Sequence, residues 1–170
     1  LQLCSASSYF RKEISGYNAV DNKKGHATRL FKIAWVYKKR GEMEKAMAAD
    51  LMASRLMEDL DDKEGIAGAY ERVCEDLTRQ GRLKEAMSYA QSAIDICEKN
   101  HLDNELVYAF TNAGDVAITG ENTQQAFDYF DRALKLAFAQ KFNQVSLADF
   151  FNNRGNALKR LGRYPEALKD

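Results

Sequence analysis

The sequence predicts an all-α fold, a right-handed superhelical α-solenoid of antiparallel helical hairpins, from three periodic features. Four alanine segments, Lys45-Ala46-Met47, Glu85-Ala86-Met87, Gln125-Ala126-Phe127 and Glu166-Ala167-Leu168, follow one another at intervals of 40, 40 and 41 residues. Twelve residues before each alanine stands a small residue: Ala34, Cys74, Gly114 and Gly155. Between the two falls a glycine, at Gly41, Gly81, Gly120 and Gly162, able to take the left-handed conformation that ends a helix. Two antiparallel helices approach closely only where small side chains meet across the contact, so each period reads as one helical hairpin.

The elements follow in order. Ala6, Tyr9 and Phe10 repeat the local pattern of Ala126, Tyr129 and Phe130, and Ala6 lies 40 residues before Ala46, so residues 1–16 read as the second helix of an incomplete repeat. Repeat 1 spans 27–66, repeat 2 spans 67–106, repeat 3 spans 107–147, and 148–170 is the start of a truncated repeat 4. Leu30, Tyr70, Phe110 and Phe151 stand four residues before the small positions, and Tyr37, Leu77, Ala117 and Leu158 three after. These form an apolar stripe at helical spacing and are expected to be core. Pro165, the one proline, falls near the first position of a helix, where its missing N–H is tolerated. Asp61 or Asp62 is expected to cap the helix that opens repeat 2.

Composition excludes several classes of function. Hydrophobic residues make up 45% and charged residues 29%, as in a globular domain, and no Pro- or Ser/Gly-rich linker divides the chain. Twenty-five Lys and Arg balance twenty-five Asp and Glu, which leaves no basic excess for nucleic acid, and the apolar runs are too short and too often interrupted by charge for a membrane span. Cys4, Cys74 and Cys97 are scattered without metal-ligand spacing, and free buried thiols in a reducing cytoplasm are expected. His26 and His101 fall in predicted turns. No zinc-protease, nucleophile-elbow, P-loop or dinucleotide motif is present, so no catalytic residue, metal or cofactor is assigned.

With Phe110, Ala113, Gly114, Ala126, Phe130 and Ala133 in place, the third unit resembles the tetratricopeptide repeat. The second resembles it through Tyr70, Leu77, Gly81, Ala86 and Ala93, and the first and fourth more loosely. Departures are a 40-residue period instead of the usual 34, Asp50 in place of the aromatic found at Phe130, and Arg154 in place of an apolar residue. The longer period is similar to variants with extended helices in regulatory and signalling proteins such as kinesin light chains, polarity adaptors and bacterial peptide receptors.

In a stacked solenoid the first helices of the hairpins build the concave wall, and the resemblance implies the same groove. Two residues before each small position stand Lys32, Arg72, Asn112 and Asn153; one after stand Trp35, Glu75, Asp115 and Asn156. In similar repeats an asparagine there holds a peptide backbone, and Asn112 and Asn153 are assigned that role, their carboxamides offering both donor and acceptor. Lys32, Lys38, Lys39, Arg72 and Arg79, beside Trp35, form a basic stretch suited to an acidic segment, which Glu71 and Glu75 partly offset. The expected function is protein or peptide binding in this groove, as an interaction module or scaffold in a regulatory or signalling protein, without catalysis. The alternative is a structural spacer or oligomerisation arm of a larger sensor, kinase or transcription regulator, self-associating through the solenoid ends.

Overall fold

The computed structural model describes residues 23–170. The expected helix over 1–16, with Cys4, lies outside them. Eight helices follow among the described residues: α1 (Lys23–Lys39), α2 (Met43–Asp59), α3 (Lys63–Arg79), α4 (Leu83–Asn100), α5 (Asp103–Thr119), α6 (Thr123–Ala139), α7 (Gln144–Arg160) and the short α8 (Tyr164–Ala167). Each pairs with its neighbours in the chain, and α3 also packs on α5, so the first helices of the second and third hairpins lie side by side. This is a tetratricopeptide-like α-solenoid.

The turns show how the chain measures out its helices. Backbone N–H groups of Glu42, Asp62, Arg82, Leu102, Asn122, Phe142 and Arg163 reach back five residues to the carbonyls of Tyr37, Met57, Leu77, Cys97, Ala117, Ala137 and Leu158, at 2.9–3.0 Å. That bond closes a Schellman motif, in which the residue just before the donor turns left-handed. Those residues are Gly41, Asp61, Gly81, His101, Glu121, Lys141 and Gly162, all with φ between 55° and 74°. The helix break therefore recurs about every 20 residues, within and between hairpins alike. Gly120 was expected to be one of them; its φ is −82°, and the left-handed position falls on Glu121, in register with Gly41 and Gly81.

The first helices of the hairpins start at 23, 63, 103 and 144, each four residues ahead of the repeat starts at 27, 67, 107 and 148. Ala27 and Ala67, the first residues of repeats 1 and 2 as read from sequence, are fully buried and lie one turn inside α1 and α3. Asp62 caps α3: its carboxylate accepts from the Gly65 N–H at 3.0 Å and pairs with Lys24 at 2.6 Å. Asn122 and Asn143 cap α6 and α7 in the same way. His26, expected in a turn, lies within α1.

The core is a row of small and branched residues along the solenoid axis. Ala46, Ala86 and Ala126 are fully buried, as are Ala53, Ala93 and Ala113, and Leu77, Val73, Ile94, Phe110 and Leu134 fill the space around them. Tyr37, Tyr70 and Phe151 of the predicted stripe are only partly buried. Arg154, which interrupts the apolar pattern, bridges Asp131 on α6 at 2.8 Å and Asp170 at 2.5 Å.

Candidate functional site

Helices α1, α3, α5 and α7 carry the residues assigned to the groove, and the structure separates them into those it brings together and those it does not. Lys32, Trp35 and Lys39 are exposed on α1. Trp35 keeps 55% of its surface accessible, which removes it from the core. The Lys39 ammonium lies 5.5 Å from the centre of the Trp35 ring, a cation–π contact that holds the indole and a positive charge on the same face.

On α3, Arg72 stacks its guanidinium 4.8 Å from the centre of the Phe31 ring, which ties α3 to α1. Arg79 is drawn to Glu75, one helical turn back on the same helix, at 2.5 Å. Lys38, assigned to the basic wall from sequence, is not part of it. Its ammonium turns inward to Asp50 on α2 and Asp76 on α3, because two buried carboxylates attract it more strongly than the open surface.

Arg72 and Asn112 are brought together across the α3–α5 contact. With Gly68, Glu71 and Glu75 they line a polar hollow of about 300 Å³. Gly68 opens it, since nothing lies within 4 Å of where its Cβ would be. Among the described residues Glu71 has no ion-pair partner; its burial, reinforced by the charge of Glu105, pushes its carboxyl up to about 8. Asp115 on α5 is solvent-accessible yet hemmed in by neighbouring helices, and that burial together with the charge of Glu75 pushes its carboxyl up to about 6.

Asn156 lies apart. It lines a second, more apolar hollow of about 460 Å³ with Phe151, Gly155, Lys159, Tyr164 and Leu168. Asn153, partly buried on α7, borders neither hollow. Sequence reasoning missed Gly68 and the role of Glu71. A glycine in mid-helix facing a neighbouring helix was the signal that could have found the hollow.

Cys74 and Cys97 are buried and free, and burial raises their thiols to about 11 and about 12, so both stay protonated. Among the described residues, no three acids, histidines or cysteines are grouped to hold a metal ion, and no helix is long and apolar enough to cross a membrane.

A family model for the tetratricopeptide repeat matches residues 65–137. A search of curated proteins found no match. Among solved structures, BtubC from P. vanneervenii aligns with a TM-score of 0.84 at 16% identity, over 99% of this chain and 70% of its own. A Rap protein complexed with Competence and Sporulation Factor aligns with a TM-score of 0.81 at 16% identity, over 99% of this chain and 47% of its own. Aspartyl phosphate phosphatase F from Bacillus subtilis aligns with a TM-score of 0.84 at 16% identity, over 95% of this chain and 42% of its own. This chain thus spans less than half the length of those last two proteins. At these identities the likeness is one of fold.

Proposed function

We propose, from the match of residues 65–137 to a family model for the tetratricopeptide repeat, that this protein is a non-catalytic interaction module of a regulatory or signalling protein in the cytoplasm, holding a peptide or partner helix along the wall of α1, α3, α5 and α7. The observation that carries this reading is the hollow where α3 and α5 pool Arg72 and Asn112 beside Glu71 and Glu75. A guanidinium donates, a carboxamide both donates and accepts, the Glu75 carboxylate accepts, and Glu71, protonated at neutral pH, can also donate through its O–H, so a peptide backbone and its side chains find every kind of partner within one small space.

The wall is polar along its length. Towards α1 it is cationic and aromatic, with Lys32, Lys39 and Trp35 exposed and Arg72 beside them; towards α5 it is acidic, with Glu75 and Asp115. An acidic segment of the ligand lies over the cationic part, where steering is electrostatic and selective. On this reading Asn112 holds the ligand in the hollow, and Asn153 and Asn156, on α7 outside it, add further contacts. A neighbour of the same fold that carries a bound factor supports this use of the solenoid.

The deciding experiment is affinity capture with the full-length protein and its Arg72→Glu variant, read by mass spectrometry and followed by titration of the captured partner. Loss of that partner in the variant, with helix content unchanged, supports the groove. Equal capture and equal affinity would place the contact elsewhere.

A further inference from the structure

The joint between the first and second hairpins is built unlike the one that follows it. Lys38 Nζ at the end of α1 lies 3.2 Å from Asp50 Oδ2 on α2 and 2.9 Å from Asp76 Oδ1 on α3. Both aspartates are 0% exposed, and the lysine side chain only 17%. One cation therefore serves two carboxylates where water does not reach, and among the described residues neither carboxylate has another hydrogen-bond donor.

The repeat shows what would otherwise stand there. Forty residues on either side of Asp76 are Val36 and Val116, both buried, and at 40-residue steps from Asp50 come the buried Ala90 and Phe130. The later hairpins thus close these positions with apolar packing. A buried ion pair gives no more stability than such packing, because desolvation offsets the attraction, and an unbalanced set gives less. Packing alone does not account for two acids and one base at this joint.

We propose that Lys38, Asp50 and Asp76 form a proton-operated latch that locks the first hairpin onto the second when the two carboxylates around Lys38 hold one proton and loosens the joint when that proton leaves. The balance of charge requires the proton. With both carboxylates ionised the triad carries one uncompensated negative charge; with one protonated it is neutral.

Among the described residues, the other charges acting on the pair are Arg72, Glu75 and Arg79, all on α3, and Arg79 is already held by Glu75. Burial holds the Asp50 carboxyl up at about 6, against the pull of Lys38, and raises that of Asp76 as well. Because both lie above the ordinary carboxylate range, the folded state keeps a proton that the unfolded chain has lost. The latch is closed below about pH 6 and opens as the pH rises through that value. The arrangement at Arg154 differs: there Lys135 joins Arg154, so two cations meet Asp131 and Asp170, and Asp131 is pushed down instead.

The test is hydrogen exchange across the whole chain, without ligand, from pH 5.0 to 7.5 and corrected for intrinsic exchange. Glu71 and Asp115 titrate in overlapping ranges, so the background is Glu71→Gln with Asp115→Asn. Amides of α1, α2 and α3 are expected to lose protection about tenfold over this range while those of α5 and α6 stay level, and Asp50→Asn is expected to abolish the difference, since one pKa unit corresponds to a tenfold change. An equal slope in Asp50→Asn, or no local slope at all, overturns the latch. Carboxyl NMR titration of the unmutated pair is a second reading that needs no variant at the joint: a coupled step near pH 6 supports it, and two independent steps near pH 4 sink it.

Discussion

The ring of Phe130 occupies the space in front of Gly114, and a Cβ built on Gly114 would collide with it. The two residues are sixteen apart, on facing helices α5 and α6. The same offset joins Cys74 to Ala90 and Ala34 to Asp50, so the bulk shared across each hairpin contact is distributed differently from one repeat to the next. Gly114→Leu is expected to destabilise by about 1–3 kcal/mol through overpacking. Phe130→Leu in the same chain should recover part of that loss, because it vacates the contested space. Thermal melts of the two single variants and the double variant check the coupling; strict additivity would mean that the two side chains do not compete.

Glu121 is expected to be a weak point in the backbone. Its φ of 62° puts a side chain with a Cβ where the first two hairpins use Gly41 and Gly81. The left-handed conformation costs about 1–2 kcal/mol for such a residue, and glycine returns part of the gain as extra freedom in the unfolded chain. Glu121→Gly should therefore stabilise by about 0.5–1 kcal/mol. Chemical denaturation will read it, and a loss of stability would show that Glu121 makes a contact that outweighs the strain.

Glu71 makes stability depend on pH. Its folded carboxyl is raised to about 8, so the native state holds a proton between the ordinary carboxylate range and pH 8 that the unfolded state does not. Its contribution is fully present at low pH and is lost as the pH rises through about 8. Glu71→Gln is expected to leave the melting temperature nearly unchanged at pH 5 and to raise it at pH 8.5. A shift of the same size at both values would mean that Glu71 is ionised throughout.

Binding in the groove should respond to the asparagines without a change in fold. Asn112→Ala with Asn153→Ala is expected to weaken a captured partner about tenfold or more, consistent with the loss of two hydrogen bonds at about 1 kcal/mol each, while circular dichroism stays the same. Asn112 lines the hollow and Asn153 does not, so the single variants should differ, with Asn112→Ala carrying most of the loss.

The cationic end should prefer an acidic ligand. Trp35 is exposed and in contact with Lys39, so its fluorescence reports ligand there. Acidic and charge-neutral versions of one partner peptide are expected to separate at low salt and to converge at high salt, because exposed charges are screened beyond about 8 Å at physiological ionic strength. With Lys38 turned inward and Arg79 paired, Lys32, Lys39 and Arg72 remain to supply the selectivity, which should be modest. Equal, salt-independent affinities would reduce these residues to a solvated helix face.

The helical hairpins and their small-residue contacts were legible in the sequence, because they are written at short range. Ala46, Ala86 and Ala126 sit twelve residues after Ala34, Cys74 and Gly114, and an offset that never varies records which side chains must meet when a helix turns back on itself. The glycine turns at Gly41, Gly81 and Gly162 were legible for a related reason; at Asp61, His101, Glu121 and Lys141 hydrogen bonding of the helix end, not residue preference, set the left-handed position. What only the tertiary structure decided was the direction of charged side chains. Lys38 looks like one more cation on a helix surface until Asp50 and Asp76, twelve and thirty-eight residues away in the chain, are placed within reach of it. Arg72 and Asn112 share a hollow only because α3 and α5 lie side by side with a glycine between them. Electrostatic attraction falls with distance and rises with burial, and both quantities exist only once the chain has folded.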